Sequence, residues 1–129
     1  MSGKFDRAPT LGHGATGTRH WNLYRMVYYR QKAGWTQLQL GAAIGYTGRS
    51  ASAMISRWET GGWVPRIDTQ RRIASALGCR HVELMSSLPV LARESDLFTE
   101  FVEDGGFKTW SEYVDARGGL LEDLPSGDQ

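Results

Sequence analysis

The sequence predicts an all-α fold, and three observations carry that prediction. Apolar residues recur at three- and four-residue steps, as in Ile73, Ala76 and Leu77 and again in Val90, Leu91, Leu97, Phe98, Phe101 and Val102. Glycines stand where such segments stop, at Gly34, Gly45, Gly78 and Gly105-Gly106, the place where a residue free to turn left-handed ends a helix. Between Gly34 and Glu59 the chain reads as two short helices around Gly45.

The elements follow in order. A first helix is predicted over 21–33, with Trp21, Met26, Val27 and either Tyr28 or Tyr29 inward and Gly34 ending it. Thr36 is suited to cap the second, whose inward stripe is Leu38 and Ala42, with Ile44 a further candidate. The third places Ile55 and Trp58 on one face, three apart, and turns Ser52, Ser56 and Arg57 away from it. After a loop over 61–65, a fourth helix over 68–77 starts at Asp68 or Ile67 and buries Ile73, Ala76 and Leu77, while Arg71 and Arg72 read as solvated charges. A short fifth helix over 81–85 buries Val82 and either Leu84 or Met85. Pro89 marks a boundary. Beyond it come an amphipathic helix ended by Gly105, a shorter stripe of Phe107, Trp110, Tyr113 and Val114, and a patch of Leu120, Leu121 and Leu124. Side chains of that size pack back on the first domain or on a second copy of the chain.

Charge is divided along the chain. Residues 1–82 carry twelve Lys/Arg against three Asp/Glu, a balance of +9, whereas 83–129 carry three against eleven, a balance of −8. The first part is built to meet phosphate and the second is repelled by it. Cys79 is the only cysteine, which excludes an internal disulfide and points to a reducing compartment. No apolar run approaches the ~18 residues of a membrane span, so a cytoplasmic protein is expected. Residues 1–19, with Gly3, Pro9, Gly12, Gly14 and Gly17, predict a loosely tethered arm. Its 12–17 run is formally G-x-G-x-x-G but lacks the flanking strand that would make it a nucleotide loop. Lys4, Arg7 and Arg19 would let the arm follow a phosphate backbone or a minor groove; the plainer alternative is a flexible linker. Cys79 and His81 have no second Cys or His beside them, so no metal site is expected.

The central residues resemble a known family. Gly34-x-Thr36-Gln37-x-x-Leu40, Gly45, Ile55-Ser56-Arg57-Trp58-Glu59-x-Gly61, Pro65-x-Ile67-x-Thr69 and Ile73-Ala74-x-Ala76-Leu77-Gly78 are similar to the λ-repressor/Cro-like (XRE) helix-turn-helix proteins. That resemblance implies a five-helix domain over 20–88 that binds duplex DNA in the major groove, with 1–19 as a basic arm and 89–129 as an added acidic helical segment. It also implies a structural ion pair of Arg30 with Glu59. Ile55 follows Gly45 by ten residues, four more than the family's usual spacing and about one helical turn of extra chain. Either the third helix is longer, or the extra residues form a loop over 46–49 with Ser50 as cap. The loop is favoured, because glycine at 48 is a poor early helix residue and serine a good cap.

Roles for the outward residues follow from DNA chemistry. Thr36, Gln37 and Arg66 are assigned to the phosphate backbone, the task of helix N-termini and short polar side chains. Arg49, Ser50, Ser52, Ala53, Ser56 and Arg57 are the candidates at base edges, since a guanidinium fork fits guanine, serine is a permissive donor and acceptor, and alanine can meet a thymine methyl. The expected function is sequence-specific regulation of transcription, as a repressor of the kind phages and mobile elements carry, dimeric through 89–129. The alternative is an antitoxin-like autorepressor whose acidic segment grips a protein partner. No nucleophile–base pair, metal spacing or P-loop is present, so neither enzymatic activity nor a cofactor is expected.

Overall fold

Asn22 starts the first helix, because its side-chain oxygen accepts from the backbone N–H of Tyr24 at 2.9 Å and of Arg25 at 3.3 Å. The computed structural model describes residues 19–122. Within them β1 (His20–Trp21) is followed by α1 (Leu23–Lys32), α2 (Gln37–Ala43), α3 (Arg49–Glu59), α4 (Ile67–Leu77), a 3-10 turn (His81–Leu84), β2 (Met85–Ser86), α5 (Leu88–Asp104) and α6 (Trp110–Ala116). Residues 1–18 of the arm expected over 1–19, its glycine run among them, and Leu124 lie outside the described residues. The fold is all-α except that β1 pairs antiparallel with β2, His20 opposite Ser86 and Trp21 opposite Met85. Trp21 therefore belongs to a strand, and the helix expected from position 21 begins after the Asn22 cap.

Thr36 caps α2: its hydroxyl accepts from Gln39 N–H at 3.0 Å and the Gln39 side chain accepts from Thr36 N–H at 2.9 Å. The inward face of α2 is Leu40, Gly41 and Ile44. The stripe expected of Leu38 and Ala42 is corrected, since Leu38 is 53% exposed and Ala42 is exposed as well. The cause is the crossing of α2 by α3. A Cβ at position 41 would stand 2.0 Å from the Ala51 carbonyl oxygen, so the helices touch backbone to backbone where α2 has no side chain. Counting apolar side chains cannot find a face centred on a glycine.

Gly48, at φ +61°, is the residue before α3, and no side chain caps that helix. The start expected after a Ser50 cap thus moves back to Arg49, and the cap expected of Ser50 is not made. Ala51, Ile55 and Trp58 of α3 are buried, the last two in a cluster with Trp21, Met26, Leu40, Ile44, Ile73 and Leu84. Arg72 is more than a solvated charge: it donates to the Ile44 carbonyl at 3.1 Å and so satisfies the end of α2. α4 ends on Gly78 in the left-handed region, and the short fifth helix is a 3-10 turn that leaves Val82 exposed. Gln70 is buried, donating to the Pro65 carbonyl at 2.9 Å while its oxygen meets His81 Nε2 at 2.8 Å.

A bidentate ion pair locks these helices together. Arg30 of α1 donates Nε to one oxygen of Glu59 at 2.5 Å and a terminal nitrogen to the other at 3.0 Å. Its remaining terminal nitrogen reaches the Trp35 carbonyl at 2.7 Å.

The C-terminal helices close on α1 of the same chain. Val27, Trp110, Tyr113 and Val114 form a second buried cluster, with Tyr24, Leu97, Phe98 and Phe101 packed against it. Trp110 donates its indole N–H to the Tyr24 carbonyl at 2.9 Å, and Ser111 N–H donates to the Gln31 side chain at 2.9 Å. Beneath α5, Asn22 donates to Ser86 at 2.9 Å and to the buried Glu94 at 2.5 Å. Burial pushes the Glu94 carboxyl up, against the pull of Arg25 and Asn22. No helix among the described residues is long and apolar enough to cross a membrane.

Gly41→Ala is expected to cost about 3 kcal/mol or more, the overpacking range, because backbone and not a flexible side chain must give way; the urea midpoint measures it. Lys32 and then the Tyr28 hydroxyl, each 2.7 Å away, hold the Asp115 carboxyl below its usual 3.8. A carboxyl lowered in the folded state stabilises above that value and loses the contribution as pH falls through its folded pKa. Asp115→Ala is therefore expected to lower the urea midpoint at neutral pH, by a gap that closes on acidification below 3.8.

Candidate nucleic-acid interface

With Ala51, Ile55 and Trp58 turned into the core, the outer face of α3 presents what remains. Arg49, Ser50, Ala53 and Arg57 are exposed and Ser52 and Ser56 half-buried. Arg49, Ala53 and Arg57 follow at four-residue steps, so the two arginines stand about two turns apart on the same side of the helix, about 12 Å along the axis. Neither has a carboxylate partner among the described residues, where the ion pairs join Arg25 to Glu94, Arg30 to Glu59, Lys32 to Asp115 and Arg80 to Glu83. Two uncompensated cations on a convex helical face suit a polyanion.

The remaining site residues are carried on other elements. Thr36 is exposed at the head of α2, its hydroxyl and N–H both engaged in the capping box. Gln37 donates its amide to Glu59 at 2.9 Å, which joins it to the Arg30–Glu59 lock. Arg66 is exposed at the head of α4. The structure thus gathers Arg49, Ser50, Ser52, Ala53, Ser56 and Arg57 on one helix, and it ties the Gln37 amide inward.

Sequence reasoning missed Trp63. After α3 the chain reverses at Gly61, whose φ is +83°, and Gly62 N–H bonds back to the Arg57 carbonyl at 3.0 Å. That reversal lays the Trp63 ring under the Arg57 guanidinium, 5.1 Å from ring centre to the central carbon. A tryptophan following two glycines is the one sequence signal for it, and without the turn geometry it reads only as a loop residue.

Other chemistry is sparsely equipped. No group of three or more His, Cys, Asp or Glu able to hold a metal ion occurs among the described residues. Burial, with Glu83 adding to it, pushes the Cys79 thiol up to about 11, which keeps it protonated and poorly nucleophilic near neutrality.

Comparison with known proteins bears on the same helices. A family model described as helix-turn-helix matches residues 27–84, from within α1 to the end of the 3-10 turn. Neither a curated protein nor a solved structure matches the chain. The matched segment contains α2, α3 and α4 entire and leaves α5 and α6 outside. Residues 27–84 therefore form a helix-turn-helix segment of the λ-repressor/Cro-like (XRE) type, a type found in DNA-binding regulators.

Proposed function

We propose that the protein is a sequence-specific repressor of transcription that inserts α3 into the major groove of an operator. The observation that carries this reading is the strip of Arg49 and Arg57, exposed and without carboxylate partners, on a helix anchored by Ile55, Trp58 and Glu59. In it Arg49, Ser50, Ser52, Ala53, Ser56 and Arg57 face base edges, while Thr36 and Arg66 meet phosphate and position the helix. Gln37 is also assigned to the phosphate side, through the backbone at the head of α2. Selection of bound sequences from a random duplex pool should return an enriched motif. On that motif Arg57→Ala is expected to cost about 1–3 kcal/mol while binding to random duplex changes far less; equal losses on both would move Arg57 to the phosphate contacts, and a pool without enrichment would end the sequence-specific reading.

We further propose that residues 89–129 pair two copies on a two-fold symmetric site, so that 1–19, 20–88 and 89–129 act as arm, reader and pairing segment. Most large side chains of the pairing segment are used inside the chain, which leaves Val102 and Phe107, exposed by 63% and 38%, for a partner surface. Val102→Glu is expected to shift the solution mass toward the monomer and weaken operator binding; the wild-type mass and affinity together would remove this role.

One observation favours a second reading, the antitoxin-like autorepressor. A shallow groove lined by Glu100, Glu103, Asp104, Phe107, Tyr113 and Arg117 sets three carboxylates and two aromatic rings against one guanidinium, an acidic balance that suits a basic protein segment.

A further inference from the structure

An exposed arginine loses much side-chain freedom when it meets a base, and a surface that already holds the guanidinium reduces that loss. Arg57 has such a surface. Its guanidinium carbon stands 5.1 Å from the centre of the Trp63 ring, within the range where a cation is attracted to an indole face. No carboxylate competes for it, because Glu59 is occupied by Arg30 and Gln37. The contact is built by the backbone: Gly61 adopts φ +83°, and Gly62 N–H closes on the Arg57 carbonyl at 3.0 Å. A side chain at 61 would be strained by that φ, and its Cβ would meet Leu23 at 3.4 Å. Trp63 itself is 57% exposed and belongs to neither buried cluster, so core packing does not account for its large ring.

We infer that Trp63 is a positioning residue for base reading: it holds the Arg57 guanidinium in a narrow range of directions on the outer face of α3 and thereby raises discrimination between the operator and other duplexes. The inference rests on the base-reading role proposed for Arg57. Trp63 needs no contact with DNA to act, and its effect passes wholly through the arginine.

The test is a double-mutant cycle on the full chain, with affinity read on the selected motif and on random duplex of equal length. Trp63→Leu, which keeps bulk and removes the ring, is expected to lower the motif-to-random ratio about threefold, the size of an exposed cation–ring contact. Trp63→Tyr, which keeps a ring face, is expected to retain most of the ratio. In an Arg57→Ala background Trp63→Leu should change the ratio no further. Urea midpoints for the Trp63 variants should match wild type, and a fall shared by the leucine and tyrosine variants would make Trp63 a structural residue instead. The same threefold loss in the Arg57→Ala background would mean that the indole touches DNA itself and would overturn the positioning role. If Arg57→Ala lowers the ratio but Trp63→Leu does not, only the Trp63 inference falls. If Arg57→Ala leaves the ratio unchanged, the base-reading assignment falls first and takes this one with it.

Discussion

The carboxylate of Glu59 is the point on which the DNA-binding domain turns. It is the last residue of α3, and it accepts both prongs of Arg30 from α1 and the amide of Gln37 from the first turn of α2. Three helices are thus fixed to one another through a single planar group whose side chain is only 6% exposed. Such a pair is costly to desolvate and adds little net stability over an apolar replacement, but it is geometrically exacting, and removing one partner leaves a buried charge. Its value is orientation. Because Trp58 is held in the core one residue earlier, and Glu59 is clamped, Arg57 on the preceding position is obliged to point away from both.

The backbone contact of Gly41 with Ala51 sets the other end of α3. Ridge-and-groove packing of two helices normally leaves room for side chains between them, whereas here α2 supplies no Cβ and α3 supplies only alanine, so the pair approaches closely. With a close crossing near its N-terminus and a clamp at its C-terminus, α3 has little freedom to roll. A helix so held presents its outer residues in fixed directions, which is what discrimination between base edges requires.

α1 carries the rest of the architecture. Met26 faces the cluster shared with α3 and α4, while Val27 with Tyr24 and Tyr28 faces the cluster of α5 and α6. Polar links run in parallel with the apolar contact: Asn22 to Ser86 and Glu94, Gln31 to Ser111, and Lys32 and Tyr28 to Asp115. The acidic segment is therefore docked along the length of α1, and both clusters share one helix as their wall.

The sequence by itself determined the helical pattern, the caps at Thr36 and Gly78, the inward Ile55 and Trp58, and the resemblance that the family match over 27–84 supports. These are local matters, set by side-chain periodicity, capping chemistry and turn residues within a few positions of one another. Only the tertiary structure decided that the face of α2 centres on Gly41 and not on Leu38 and Ala42, that Arg72 closes the end of α2, and that Trp63 lies under Arg57. It also decided that the apolar stripes beyond Pro89 are largely spent on α1 of the same chain, a choice the sequence left open between the first domain and a second copy. Each of these depends on which surfaces meet across the chain, and a glycine, a solvated-looking arginine or a loop tryptophan carries no periodic signal of its partner.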